Sequence, residues 1–288
     1  MLLRIQYVNF FFEITGMSIL YPTLENIHRL RVKPTKGEIH LLNVLSENLD
    51  DTYEIFFNPF LDGDRPDFIV LKKNTGIFIL EVKDYSSKNY QVDAFNNWHV
   101  NSGISQSVIS SPQSQVFRYK SNLYNLHLPV LGLSFLENRH FFGIVHPFVY
   151  LNGWVKSDIE NLYAPANNEL DLKAKHNGNK YKNGEINHDQ FNHCADKISM
   201  MKRKLSRDKS IAYGTDRIND LIKKIKNVKH NILFDDRVYD DIKRRLKPSD
   251  HTLKQGKKIP LDDRQNKLAI SLPGKEKVKG VAGCGKTT

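Results

Sequence analysis

The stretch FIVLKKNTGIFILEVK, residues 68–83, constrains the fold more than any other part of this chain. Two apolar, β-branched runs flank Lys-Lys-Asn-Thr-Gly, which is the chemistry of a tight turn between antiparallel strands. Side chains alternate along a strand, so Phe68, Val70, Phe78, Leu80 and Val82 share one face, and Ile69, Leu71, Ile77 and Ile79 the other. Both faces are apolar, so the hairpin belongs inside a sheet covered on both sides. Yet Asp67 stands just before it, and Glu81 and Lys83 close it. A turn centred on Asn74 sets Asp67 opposite Glu81, with Cβ atoms about 4.5–5.5 Å apart and Lys83 beside Glu81 on the same face.

Two carboxylates that close repel, and without a cation one of them is driven to take up a proton. A divalent metal resolves the conflict. Mg²⁺ accepts hard oxygen ligands from one or two carboxylates and leaves its other positions to water and phosphate. Its chemistry there is activation of a water and stabilisation of charge on a phosphodiester during in-line displacement. Lys83 then neutralises developing charge or holds the attacking water. The plainer alternative makes Asp67 a strand cap and Glu81 with Lys83 a surface pair at a strand end. Against it, charges beside so apolar a core are costly unless used or paired.

The flanking sequence reads as an α/β domain. Thr35 to about Leu49 has helical apolar spacing and a capping-box pattern of Thr35 with Glu38. Strand signals follow in YEIFFNPFL, in the hairpin, and in YQVDAFNNWHV, a smaller hairpin turning at Asn96 and Asn97. SPQSQVFRYKSNLYNLHL reads as a helix with Pro112 in its first turn, and HFFGIVHPFVYL as a strand covered on both faces. From Ala164 to Asn187 the Asn-, Lys- and Gly-rich text reads as an exposed loop or linker. Three amphipathic helices with Lys- and Arg-rich polar faces come next, carrying Phe191, Cys194, Ile198, Met201 and Leu205, then Ile218, Leu221, Ile222 and Ile225, then Val238, Ile242 and Leu246.

At 288 residues and 40% hydrophobic, the chain has room for one large domain or two smaller ones. Its 43 Lys and Arg outnumber 32 Asp and Glu, a formal charge of +11 that favours polyanions such as nucleic acid. Only Cys194 and Cys284 occur, too few for a disulfide framework or zinc site, so a reducing cytoplasm fits best. No apolar run approaches a membrane span of about 18 residues. The opening MLLRIQYVNFFFEITG reads as a loose leader, with Met17 an alternative first residue.

PDFIVLKKNTGIFILEVK resembles the Pro-Asp and Glu-x-Lys signature of the restriction-endonuclease-like PD-(D/E)xK nucleases, and the wider pattern resembles the nuclease-related domain, NERD. The likeness runs from Gly37-Glu38 through Asp67, Glu81 and Lys83 to QVFRY, where Gln115 and Tyr119 match a Gln-x-x-x-Tyr helix. The resemblance implies that Asp67 and Glu81 bind Mg²⁺ or Mn²⁺, that Lys83 serves catalysis, and that Glu38 is an accessory acid. Glu38 also reads as the capping-box partner of Thr35 alone, and Gln115 with Tyr119 as packing. His99, His140 and His146 read as strand residues without metal-ligand spacing, and Trp98 as an aromatic covering the core.

The chain ends GVAGCGKTT, which satisfies the G-x-x-x-x-G-K-[ST] phosphate-loop pattern through Gly280, Gly285, Lys286 and Thr287, with Gly283 and Thr288 alongside. Backbone amides cradle phosphates in such a loop, Lys286 reaches the β and γ phosphates, and Thr287 binds Mg²⁺. IPLDDRQNKLAI resembles the Gln motif of superfamily 1, UvrD-like DNA helicases, in which Gln265 recognises the adenine of ATP. The sequence expectation is therefore a leader over 1–30, a restriction-endonuclease-like mixed sheet flanked by helices over 31–163, a loop and basic helical connector over 164–255, and the start of a P-loop helicase over 256–288, the front of a longer protein. The function expected is metal-dependent cleavage of DNA, with RNA not excluded and oligomeric state open. The alternative is a catalytically silent nucleic-acid-binding module that loads a helicase motor.

Overall fold

A computed structural model of the protein describes residues 17–101 and 105–247. In chain order, β1 (Ile19–Tyr21), α1 (Leu24–Arg29), α2 (Lys36–Asn48), β2 (Tyr53–Phe57), β3 (Phe68–Lys72) and β4 (Gly76–Lys83) come first. They are followed by β5 (Tyr90–Val92), β6 (Trp98–Asn101), β7 (Gln106–Ile109), α3 (Pro112–Asn122), α4 (Pro129–Glu137) and β8 (Val145–Leu151). The remainder is α5 (Lys156–Lys182), α6 (His188–Ser210), β9 (Ala212–Gly214), α7 (Ile218–Lys226) and α8 (Asp236–Leu246). Six strands form one mixed sheet in the order β1-β2-β3-β4-β8-β9, and β5, β6 and β7 form a small second sheet.

The meander β2, β3, β4 is antiparallel, whereas β8 lies parallel to β4 and β9 parallel to β8. Across the central hairpin Phe68 pairs with Leu80 and Val70 with Phe78, as a turn at Asn74 dictates. Asn74 adopts a φ of 56°, a left-handed conformation that asparagine tolerates, and the Thr75 amide closes the turn on the Lys72 carbonyl at 3.1 Å.

Strand alternation sorts the core. Phe68, Val70, Phe78, Leu80 and Val82 pack with Leu41, Leu42 and Leu45 of α2 and with Leu221, Ile222 and Ile225 of α7. Ile69, Leu71, Ile77 and Ile79 pack on the opposite face with Tyr119, Leu131, Val238 and Ile242 of α3, α4 and α8. A third cluster joins Val149 and Leu151 of β8 to Trp98 of the small sheet, Tyr163 of α5 and Leu205 of α6. The expected mixed, helix-flanked α/β architecture is thus present, but it is not confined to 31–163: β1 and β9 complete the sheet, and α7 and α8, expected in a separate connector, cover its two faces.

Several local expectations are corrected. Of the leader expected over 1–30, residues 17–30 instead supply β1, parallel to β2, and α1, and residues 1–16 lie outside the described residues. The loop expected over 164–187 is helical as far as Lys182, because α5 buries Ile159, Leu162, Tyr163, Ala166 and Leu170 while its Lys and most of its Asn residues, the buried Asn177 excepted, face outward. HFFGIVHPFVYL divides into a 3₁₀ segment, Arg139–Ile144, and the strand β8, so His140 lies off the sheet. The small hairpin gains a third strand, β7. Trp98 is fully buried, as expected of a core aromatic. No helix among the described residues is long and apolar enough to cross a membrane.

Candidate active site

The candidate residues gather where β4 ends and β3 begins. Extending the hairpin register by one pair sets Asp67 opposite Glu81. The Val82 amide donates to Asp67 Oδ2 at 2.6 Å, so the strand that carries one carboxylate orients the other. Glu81 is only 2% exposed, and Lys83 Nζ donates to its Oε1 at 2.5 Å. Glu81 Oε2 is buried without a hydrogen-bond partner among the described residues.

Burial and then the Glu81 charge push the Asp67 carboxyl up to about 8 from its ordinary 3.8. Burial also raises Glu81, against the opposing pull of Lys83. Burial alone would lower Lys83, but the charge and hydrogen bond of Glu81 outweigh it, so its ammonium is held more firmly than in water. The pair is short of positive charge even with Lys83 in place, which makes Asp67 and Glu81 the residues able to hold a cation.

Glu38 reaches this group from the first turn of α2, and its charge acts on both carboxylates. It also makes the expected capping box: its Oε2 accepts from the Thr35 amide at 2.6 Å, and Thr35 Oγ1 accepts from the Glu38 amide at 3.3 Å. Glu38 therefore caps α2 while its charge reaches both carboxylates. Gly37 permits the close approach of this helix start to β4. A Cβ there would stand 2.8 Å from Asn152 Cβ, Asp84 Oδ1 and Val82 Cγ1.

Gln115 and Tyr119 share one face of α3, where Gln115 Nε2 donates to the Tyr119 hydroxyl at 2.7 Å. That hydroxyl donates to the Arg65 carbonyl at 3.1 Å, tying α3 to the loop that delivers Asp67. Burial raises Tyr119, and the charges of Glu81 and Asp67 add to the shift, so the tyrosine lies within their electrostatic reach.

Sequence reasoning missed Asp84 and Asn152. Asp84 Oδ2 accepts from the Gly37 amide at 3.2 Å, and its Oδ1 accepts from Asn152 Nδ2 at 2.6 Å, binding the start of α2 to the ends of β4 and β8. Adjacency to Glu-x-Lys was the only available signal, since the partners lie 47 and 68 residues away. Gln265, Gly280, Gly283, Gly285, Lys286, Thr287 and Thr288 lie outside the described residues.

The basic residues are not all near this end. Lys226 Nζ donates to the carbonyl of Asn48, at the end of α2 away from the site, and Lys223 and Lys224 belong to the same last turn of α7. Among curated proteins and among solved structures, nothing matches the chain significantly. The family model of the nuclease-related domain, NERD, matches residues 33–152, the span that holds Glu38, Asp67, Glu81, Lys83, Gln115 and Tyr119, and there the chain carries a nuclease-related domain.

Proposed function

We propose that the chain is a metal-dependent nuclease of the PD-(D/E)xK type that hydrolyses phosphodiester bonds in DNA. The observation that carries this reading is the buried Glu81 Oε2, unpartnered among the described residues, on the carboxylate opposite Asp67. Such an atom is costly to leave unsatisfied, and a cation between the two side chains relieves both it and the repulsion that drives Asp67 toward protonation. Asp67 and Glu81 would hold Mg²⁺ or Mn²⁺, a donor set of two carboxylates that such ions accept. When bound, the ion supplies a water of lowered pKa and neutralises charge on the phosphate.

The remaining roles belong to the chain. The Val82 amide fixes Asp67, so this carboxylate needs no reorganisation to meet a ligand. Lys83 keeps its proton at neutral pH, which suits it to stabilise anionic phosphate oxygens rather than to act as a base. Glu38 adds negative charge from the start of α2, and Tyr119 with Gln115 walls the opposite side. The formal charge of +11 supports a nucleic-acid substrate. The resemblance of residues 256–288 to the start of a superfamily 1 helicase supports coupling to an ATP-driven motor, and the scarcity of cysteine a cytoplasmic setting.

The test is cleavage of supercoiled plasmid and end-labelled single strands by purified protein with Mg²⁺, Mn²⁺ or EDTA, alongside Glu81→Gln. Product that requires metal and disappears in the variant is expected. A folded wild type that gives no metal-dependent product, or a variant as active as wild type, overturns the reading.

A further inference from the structure

The centre of the site is acidic, with Asp67, Glu81 and Glu38 facing the single ammonium of Lys83. A nucleic-acid strand laid across it brings one further negative charge per nucleotide. Cations at the rim are therefore required, and two arginines stand there.

Arg65 is exposed two residues before Asp67, with its guanidinium 5.2 Å from the centroid of the Phe60 ring. Arg118 is exposed on α3, with its guanidinium 5.6 Å from the centroid of Tyr119. Tyr119 joins the two positions, since its ring lies beneath Arg118 and its hydroxyl donates to the Arg65 carbonyl at 3.1 Å. The charges of Glu81 and Asp67 reach the same tyrosine, so both arginines are tied through Tyr119 to the surroundings of the carboxylate pair.

Elsewhere in the fold, Arg207, Arg217, Arg237, Arg244 and Arg245 each meet an aspartate. Among the described residues, Arg65 and Arg118 meet no carboxylate. An aromatic face holds a guanidinium in place without neutralising its charge, and leaves its N–H donors free for a second partner. A phosphate is the partner that such a fork accepts bidentately.

We propose that Arg65 and Arg118 form a phosphate clamp that seats a nucleic-acid strand across the Asp67 and Glu81 pair, an inference that rests on the nuclease reading of that site. The clamp contacts the sugar-phosphate backbone and so takes strands irrespective of sequence. The lysines at the end of α7 lie away from the site and have no part in it.

The test measures binding of a labelled oligonucleotide by fluorescence anisotropy across a salt series in EDTA, where no cleavage occurs. Wild type, Arg65→Ala with Arg118→Ala, Arg65→Lys with Arg118→Lys, and Lys223→Ala with Lys224→Ala are compared. Loss of two phosphate contacts should weaken binding about tenfold or more and reduce the slope of log K against log salt by about 2. The lysine-for-arginine pair should keep that slope and lose part of the affinity, because charge remains and the bidentate fork does not. The α7 pair should bind within about twofold of wild type. Wild-type affinity and slope in the double alanine variant, or an equal loss in the α7 pair, overturn the clamp. Plasmid cleavage run in parallel separates the two ideas. Strand binding that depends on the arginines without metal-dependent product sinks the nuclease reading and supports the clamp, whereas cleavage with unchanged KM in the alanine pair sinks the clamp alone.

Discussion

The Val82 amide donates to the Asp67 carboxylate at 2.6 Å, so the backbone between Glu81 and Lys83 aims the third member of the group. Three chemical side chains are thereby set by one hairpin, and their mutual position depends on its register and little else. A slip of one residue would turn Glu81 and Lys83 to the opposite face of the sheet.

Removing one charge should stabilise the metal-free protein while destroying its function. Asp67→Asn keeps an oxygen to accept from Val82 and removes the repulsion with Glu81. Thermal unfolding in EDTA should show a gain of about 2 kcal/mol, with cleavage reduced at least about a hundredfold. A variant less stable than wild type in EDTA would show that the buried pair is not under strain.

Lys83→Met should have the opposite effect on stability. It leaves the Glu81 carboxylate, 2% exposed, without its ammonium, at a cost of about 2–4 kcal/mol. Glu81→Gln together with Lys83→Met should recover most of that loss, and additive costs in this double-mutant cycle would deny the coupling.

Divalent metal should raise the melting temperature through the same pair. At a hundredfold excess over its Kd, a ligand of the folded state contributes about 2.7 kcal/mol. The upward shift with Mg²⁺ is expected in wild type and should be absent in Asp67→Asn and Glu81→Gln.

Gly37→Ala should separate α2 from the site. The added Cβ would stand 2.8 Å from three atoms on β4, Asp84 and Asn152, and the overpacking should cost about 1–3 kcal/mol despite alanine's better helix propensity. Activity should fall further than stability, because Glu38 moves with the helix. Wild-type activity in this variant would show that the placement of Glu38 is unimportant.

His146 should contribute a pH dependence remote from the site. Burial, then the charges of Lys120 and Lys224, lower it from 6.5 to about 4, and its Nε2 is buried without a partner among the described residues. Between those values the unfolded chain binds the proton and the folded chain does not, so stability is lost as pH falls from 6.5 toward 4. His146→Leu should remove up to about 2–3 kcal/mol of that loss, read as the difference between the two unfolding curves at pH 4 and pH 7.

The local part of this protein was legible from residue order. Alternation in FIVLKKNTGIFILEVK determined both buried faces, and the Asn74 turn determined the register that opposes Asp67 and Glu81, because strand period and turn geometry are properties of a few consecutive residues. The α2 capping box was equally visible in Thr35 and Glu38. Other features have no local signature. β1 gains its place by pairing with β2, and α5 runs to Lys182 because α6 and the small sheet cover its apolar stripe. Asp84 finds Gly37 and Asn152, and Tyr119 finds the Arg65 carbonyl, only once distant segments meet. Residue order alone determined which groups one hairpin brings together, whereas the packing of helices onto that hairpin decided what surrounds them, since long-range contacts depend on the whole core closing rather than on any spacing along the chain.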